Sequence, residues 1–414
     1  MAEKPVFCGA AAASLDARPG QWLGGLPKRE EPATELWDEP TVRTLVLRQG
    51  SEWLALACLD LYGLNLLSAR NLRQRVADEL GCDEEAVCIV CTCVSSAPAS
   101  MRMRGLGDRL EASWLEHVAE RTVRCFREAA RSLQPAEILQ GFCSDASGSA
   151  AVTRFIGSDG PVATLSWATG VAPVLGPSCN AISADYFGFL NRAMERWGGV
   201  SVHLPGPWSR GFDPAKPPFE ASRDGSHEEA ARTGLSLAER LARVELQPPR
   251  KAQCKASGGG ILLPVFDLPD RSTLDELEAR LETAKSQAQR DSGSDARWQH
   301  LARATEEWIR EARRLSGRRD LDSVHVPMWR ALLGDHELFA LPFEVDLPTM
   351  REFSPALVVG CANGALGPLP HRRPSSRSPL EAEIPPHVLY ADLHSPIHPM
   401  AGTLLSCARN SLVS

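Results

Sequence analysis

The pattern of apolar and polar positions divides the chain into short strands and amphipathic helices. Residues 42–47 alternate as Val-Arg-Thr-Leu-Val-Leu and read as a strand, and residues 53–60 form a second apolar run ending in Asp60. Ser68 can cap a helix in which Leu72, Val76 and Leu80 recur every four positions, and Gly81 closes it. Residues 86–94 then run without a charge as far as Ser95-Ser96-Ala97-Pro98, where Pro98 lacks the backbone donor that a ladder needs. This order is β-α-β, whose default is two parallel strands joined by a right-handed crossover. Strands that are apolar on both faces, as these are, belong inside such a sheet.

Downstream, residues 110–133 predict a long helix with Trp114, Val118, Thr122, Phe126 and Ala129 on one side. Strands follow near 138–143, 165 and 200–205, a helix over 228–244 and a strand over 262–266. Residues 272–315 predict a helical hairpin, with Leu274, Leu277 and Leu281 on one arm, Leu301, Trp308 and Leu315 on the other, and Asp291-Ser292-Gly293-Ser294 at the turn. Leu and Trp at this spacing read as core contacts. The expected fold is a single large α/β domain over residues 1–372, with a core sheet and flanking helices, followed by a Pro/Ser/His-containing segment over 373–414. Strands near 55, 90, 165, 203 and 340 should share a core, their ends converging on one cleft.

A chain of 414 residues, 43% hydrophobic and 23% charged, can bury one large core or two ordinary ones. No stretch approaches the roughly 20 apolar residues needed to cross a bilayer, and the opening Met-Ala-Glu-Lys lacks the layout of a signal peptide. The expectation is a soluble cytoplasmic protein with no membrane partner. The twelve cysteines lack zinc-ribbon spacing and suit a reducing compartment better than a disulfide framework. A net charge of −7 and the absence of a long basic run argue against a nucleic-acid partner.

Candidate chemistry concentrates where the 87–94 strand stops. If the strand continues to Ser95, then Cys91, Cys93 and Ser95 share one face and Cys88 follows the other register. Cys93 is a candidate nucleophile, a role that needs an adjacent base or a lowered pKa; a buried cysteine acting as a small hydrophobe is the plainer reading. His203 and Asp213 are candidate acid and base. Arg102, Arg104 and Arg109 either hold a carboxylate or phosphate of a ligand or are solvated loop charges.

At the same stretch the chain resembles a family. Thr92-Cys93-Val94-Ser95-Ser96-Ala97-Pro98 is similar to the Thr-His-Thr-His-Ser-Gly-Pro strand end of the neutral ceramidases, zinc-dependent hydrolases of an N-acyl amide. Ile182-Ser183-Ala184-Asp185-Tyr186-Phe187-Gly188 resembles the family's Ile-Ser-Ala-Asp-Tyr-Pro-Gly, and residues 360–370 resemble its Gly-x-Ala-Asn-Gly and Gly-Tyr-x-Pro. The resemblance implies a neutral-ceramidase-like domain without the family's C-terminal immunoglobulin-like domain. It also implies four zinc-ligand positions, occupied here by Cys93 or Ser95, Ala172, Glu344 and Pro368. Both strand-end histidines, the histidine before Pro173 and the metal-contacting tyrosine are replaced. The serine that the family uses in catalysis aligns with Asp213, and its substrate-contacting arginine with Arg154.

Three readings follow. In the first, the chain is a metal-free binding protein, without cofactor, that presents a peptide or amide-like ligand to other enzymes of a ribosomal peptide pathway. Its polar contacts would be Ser95, Ser96, Arg154, Asn363 and Glu344. By type of protein, and without a motif, this resembles the peptide-binding proteins of crocagin biosynthesis. In the second, it is an amide hydrolase or peptide-modifying enzyme using Cys93 or the Asp213/His203 pair. In the third, a metal site is rebuilt from Cys91, Cys93, Glu344 and a histidine of the tail, which holds His371, His387, His394 and His398.

Overall fold

A computed structural model describes residues 4–25, 29–107, 109–176, 178–208, 224–290, 296–318, 321–370 and 388–413. The predicted β-α-β unit is present. Strand Glu52–Leu59 leads through helix Leu66–Leu80 to strand Val87–Cys91, and the two strands pair in parallel. The helix starts two residues before Ser68, because Asp392, far along the chain, accepts the Leu66 amide at 2.9 Å. Gly81 ends it in the left-handed conformation, φ 65°, which lets its amide reach Ala77 O.

Instead of one core sheet, three larger sheets form. The first has strands in the order Val87–Cys91, Glu52–Leu59, Thr41–Gln49, Phe7–Ser14 and Gln134–Pro135. The second runs Val200–Pro205, Gly160–Ala168, Gly148–Gly157 and Glu137–Asp145, and the third Cys254–Pro264, Ser323–Leu333, His336–Ala340 and Leu357–Val359. Their inner faces meet. Leu54, Leu56, Val90, Leu165, Val202 and Ala340 belong to one buried cluster, so the five strands expected to share a core do so across three sheets. Such division is normal for a long open β-structure, which splits or curls as twist accumulates.

Helices cover the outer faces. Ala112–Arg131 buries Trp114, Val118, Thr122, Cys125, Phe126 and Ala129 against the first sheet. Replacing Phe126 with Ala would cost about 3–5 kcal/mol, since its ring is fully enclosed. The hairpin of Arg271–Arg290 and Ala296–Leu315 packs outside the third sheet through Leu274, Leu281, Leu301, Trp308 and Ile309; its predicted turn falls outside the described residues. Residues 388–413, part of the segment that the sequence sets apart, contribute Val388, Leu389, Tyr390, Leu393, Ile397 and Leu405 to that same cluster. The α/β fold class is as expected, with its core built from three larger sheets.

Candidate functional site

The strand ends at Cys91, not at Val94. Cys93 takes φ 59°, a left-handed conformation that breaks the alternation on which a shared face with Ser95 depended. Its sulfur is bonded to Cys361, 268 residues away, so Cys93 offers no thiolate while that bond is intact. Nothing in the sequence signals this pairing, because Cys361 lies in a loop with no cysteine spacing pattern.

The loop of residues 360–364 closes over the strand edge. Asn363 donates its amide to Ile89 O at 2.7 Å and accepts the Ile89 amide on Oδ1 at 2.9 Å, while Cys91 N donates to Cys361 O at 3.0 Å. Asn363 thereby replaces a missing neighbour strand, and φ 57° is tolerated by its short polar side chain. The amide of Cys361 donates to Phe343 O at 2.9 Å, which sets this loop beside Glu344. Glu344 is buried, and its Oε1 lies 3.4 Å from the Tyr390 hydroxyl, itself 3.2 Å from that of Tyr62. Gly367 has no Cβ for a reason: at φ 83° a Cβ would come within 2.5 Å of the Tyr390 ring.

On the other flank, Ser95 Oγ donates to Leu175 O at 3.2 Å and Ser96 Oγ to Ser183 O at 2.9 Å. The first bond joins the strand end to the loop at Leu175, the second to the Ile182–Tyr186 motif. Asp185, buried at the first position of helix Asp185–Glu195, accepts the amides of Val174 and Leu175 and so fixes the loop after Ala172. Burial pushes the Asp185 carboxyl upward, against the pull of those amides. Arg29 reinforces this flank, donating to Cys179 O, Gly24 O, Gly176 O and Ser95 O.

Cys93, Ser95, Ser96, Asn363 and Glu344 are therefore contiguous, with Ala172 on the loop that the serine bonds hold. Arg154 does not join them. Its guanidinium lies over Trp197, 6.0 Å from the ring centre, and Trp197 precedes strand Val200–Pro205 at the end opposite the site. His203 is buried beside Phe187 of helix Asp185–Glu195, with Nδ1 at 2.9 Å from Ser166 Oγ, and desolvation lowers its pKa to about 3. A neutral, enclosed imidazole is poorly placed for acid-base chemistry at the strand ends. Asp213 lies outside the described residues, as do His371 and His387. Two of the three arginines are structural rather than solvated or ligand-facing: Arg104 is enclosed, donating to Val388 O, Tyr390 O, Leu393 O and Glu311, and Arg109 donates to Arg29 O. Arg102 is exposed.

The four positions where the ceramidase resemblance expects zinc ligands do not compose a zinc centre. The Cys93 sulfur is committed to Cys361, the Ser95 hydroxyl to Leu175 O, and Ala172 and Pro368 carry no donor. Among the described residues, no group of three or more His, Cys, Asp or Glu side chains is placed to hold a metal ion. The donor set at the strand ends does not fit the zinc that the resemblance implies.

The fold is that of the ceramidases. One similar structure is a ceramidase complexed with C2, at TM-score 0.69 and 13% identity, covering 99% of this chain and 75% of the other. Another is the neutral ceramidase from Pseudomonas aeruginosa, at TM-score 0.66 and 14% identity, covering 99% and 74%. At this identity the likeness concerns architecture. No family model and no curated protein matches the chain by sequence. Among the described residues, no helix is long and apolar enough to cross a membrane.

Proposed function

We propose that the chain is a metal-free binding protein on a degenerate ceramidase-like scaffold, holding an extended peptide for other enzymes of a ribosomal peptide pathway. The observation that carries the reading is the replacement of donors at the strand ends. Where the resemblance places zinc ligands, a disulfide-bonded cysteine, an alanine and a proline stand instead, and Glu344 alone keeps its type. Scaffold features remain around them: Asp185 still anchors the 174–175 loop and Asn363 still closes the strand edge. A fold retained while its chemical groups change is a fold reused.

An extended peptide suits such a site because it repeats the donors and acceptors of a single amide. Its affinity is micromolar, about −8 kcal/mol, since ordering a flexible chain offsets much of the contact energy. A cytoplasmic location fits ten cysteines that stay free. The test is calorimetry against the precursor peptide of any biosynthetic cluster that neighbours the gene, with mass spectrometry and NMR of the mixture. Binding with an unchanged peptide supports the proposal. Turnover of the peptide, or of a short-chain ceramide tested alongside, defeats it, and so does failure of the peptide to bind.

A further inference from the structure

We infer that the Cys93–Cys361 bond is a reversible redox staple that controls access to the strand-end site. Its location is the first ground. The bond ties the segment after strand Val87–Cys91 to the 360–364 loop, the two pieces of chain that carry Ser95, Ser96 and Asn363. Both cysteines hold left-handed backbone conformations, φ 59° and 50°, which residues other than glycine and asparagine adopt chiefly when surroundings enforce them.

The second ground is selectivity. Of twelve cysteines, ten are free, seven of them buried. In a chain whose thiols otherwise remain reduced, one disulfide at a functional site belongs to the redox-responsive kind. Cys91, two residues from Cys93, does not compete. Burial, with a smaller contribution from Asp60, pushes its thiol up to about 12, so it supplies no thiolate to reshuffle the bond.

The closed form also spends its polar groups internally. The Ser95 and Ser96 hydroxyls donate to Leu175 and Ser183, the Asn363 side-chain oxygen is taken by Ile89, and both sulfurs are almost fully buried. Reduction removes the covalent tie between the 92–98 segment and the 360–364 loop, so that the segment can shift and the Ser95 and Ser96 hydroxyls exchange Leu175 and Ser183 for a ligand, while the Asn363–Ile89 pair stays in place. The oxidant is a small disulfide. Thiolate attack from one cysteine forms a mixed disulfide and expels one small thiol; attack by the second cysteine closes the protein bond and expels another. Two electrons pass to the small disulfide, and the two protein protons end on the two small thiols. A dithiol reductant reverses the sequence.

The consequence for affinity rests on the proposed peptide-binding function, but the staple is tested without a ligand. Alkylation of denatured, unreduced protein should leave ten reactive thiols, and non-reducing peptide mapping should link the Cys93 and Cys361 fragments. Twelve reactive thiols, or another linkage, overturns the inference. Hydrogen exchange in wild-type protein with and without a phosphine reductant should show faster exchange at 92–98 and 360–364 on reduction; unchanged exchange there overturns the gate. Cys93→Ser/Cys361→Ser should reproduce the reduced pattern, and the reductant experiment decides if that variant does not fold. Precursor-peptide binding should be at least tenfold tighter in reduced protein, and equal affinity in both forms overturns the gate. Absence of peptide binding in either form removes the proposed function, while thiol count and exchange still judge the staple.

Discussion

The Asn363 side-chain oxygen accepts the Ile89 amide at 2.9 Å while the Asn363 amide donates to Ile89 O at 2.7 Å. One residue of the third sheet's loop thus satisfies both backbone groups of a residue on the edge strand of the first, and the 360–364 loop becomes a clasp between sheets. Asn363→Ala leaves the Ile89 amide without this acceptor and puts a less tolerant side chain at φ 57°. The expected loss is about 2–4 kcal/mol, from a buried unsatisfied group and a strained conformation together. Urea unfolding measures it. A loss of peptide affinity with unchanged stability would instead make Asn363 a ligand contact.

Arg104 does for the C-terminal segment what Asn363 does for the strand edge. Its guanidinium gathers the carbonyls of Val388, Tyr390 and Leu393 and pairs with Glu311 at 2.7 Å. Arg104→Met takes this donor from the Val388 and Leu393 carbonyls, at about 1–3 kcal/mol each, while the Tyr390 carbonyl keeps the Leu393 amide, so a total loss of about 2 kcal/mol or more is expected. Limited proteolysis should then release residues beyond 388 sooner than in wild type. Cleavage at the wild-type rate would show that apolar contacts alone hold the segment.

Two buried groups give stability opposite dependences on pH. Desolvation raises Asp60 from 3.8 to about 6, against the bonds it accepts from Thr41. Folded protein therefore holds this proton more tightly than unfolded chain, and the stabilisation present below pH 4 is lost as pH rises to 6. His203, lowered from 6.5 to about 3, works the other way: its contribution is present above 6.5 and is lost as pH falls toward 3. Asp60→Asn should make the rise of stability between pH 4 and 6 steeper by about 3 kcal/mol, and His203→Gln should flatten it. Urea unfolding at intervals across that range reads both; a wild-type-to-variant difference independent of pH refutes the assignment.

Zinc should be absent at stoichiometric level from the purified protein, because Ala172 and Pro368 provide no donors and Cys93 is bonded to Cys361. Elemental analysis checks this directly. Dialysis against a chelator should leave the unfolding midpoint unmoved. One tightly held zinc per chain would revive a rebuilt site, with Glu344→Ala the first variant to test.

The sequence by itself determined what depends on neighbours a few residues apart. Apolar periodicity located the helices found at 66–80, 112–131, 271–290 and 296–315 and the buried strands, and the β-α-β order implied the parallel pairing that forms. The family resemblance, rather than any local period, put the residues at 93–96, 344 and 363 in one region of the fold. Tertiary structure alone decided what those residues do. Cys93 meets Cys361, Ser96 meets Ser183, Arg104 meets Leu393 and Asp392 caps the helix at Leu66, each across a long stretch of chain. Buried polar groups must find partners. Which partner each finds is set by how three sheets dock, and that docking has no local period to read. The same reason turned Arg104 and Arg109 from candidate ligand contacts into internal clamps, and carried Arg154 away to Trp197.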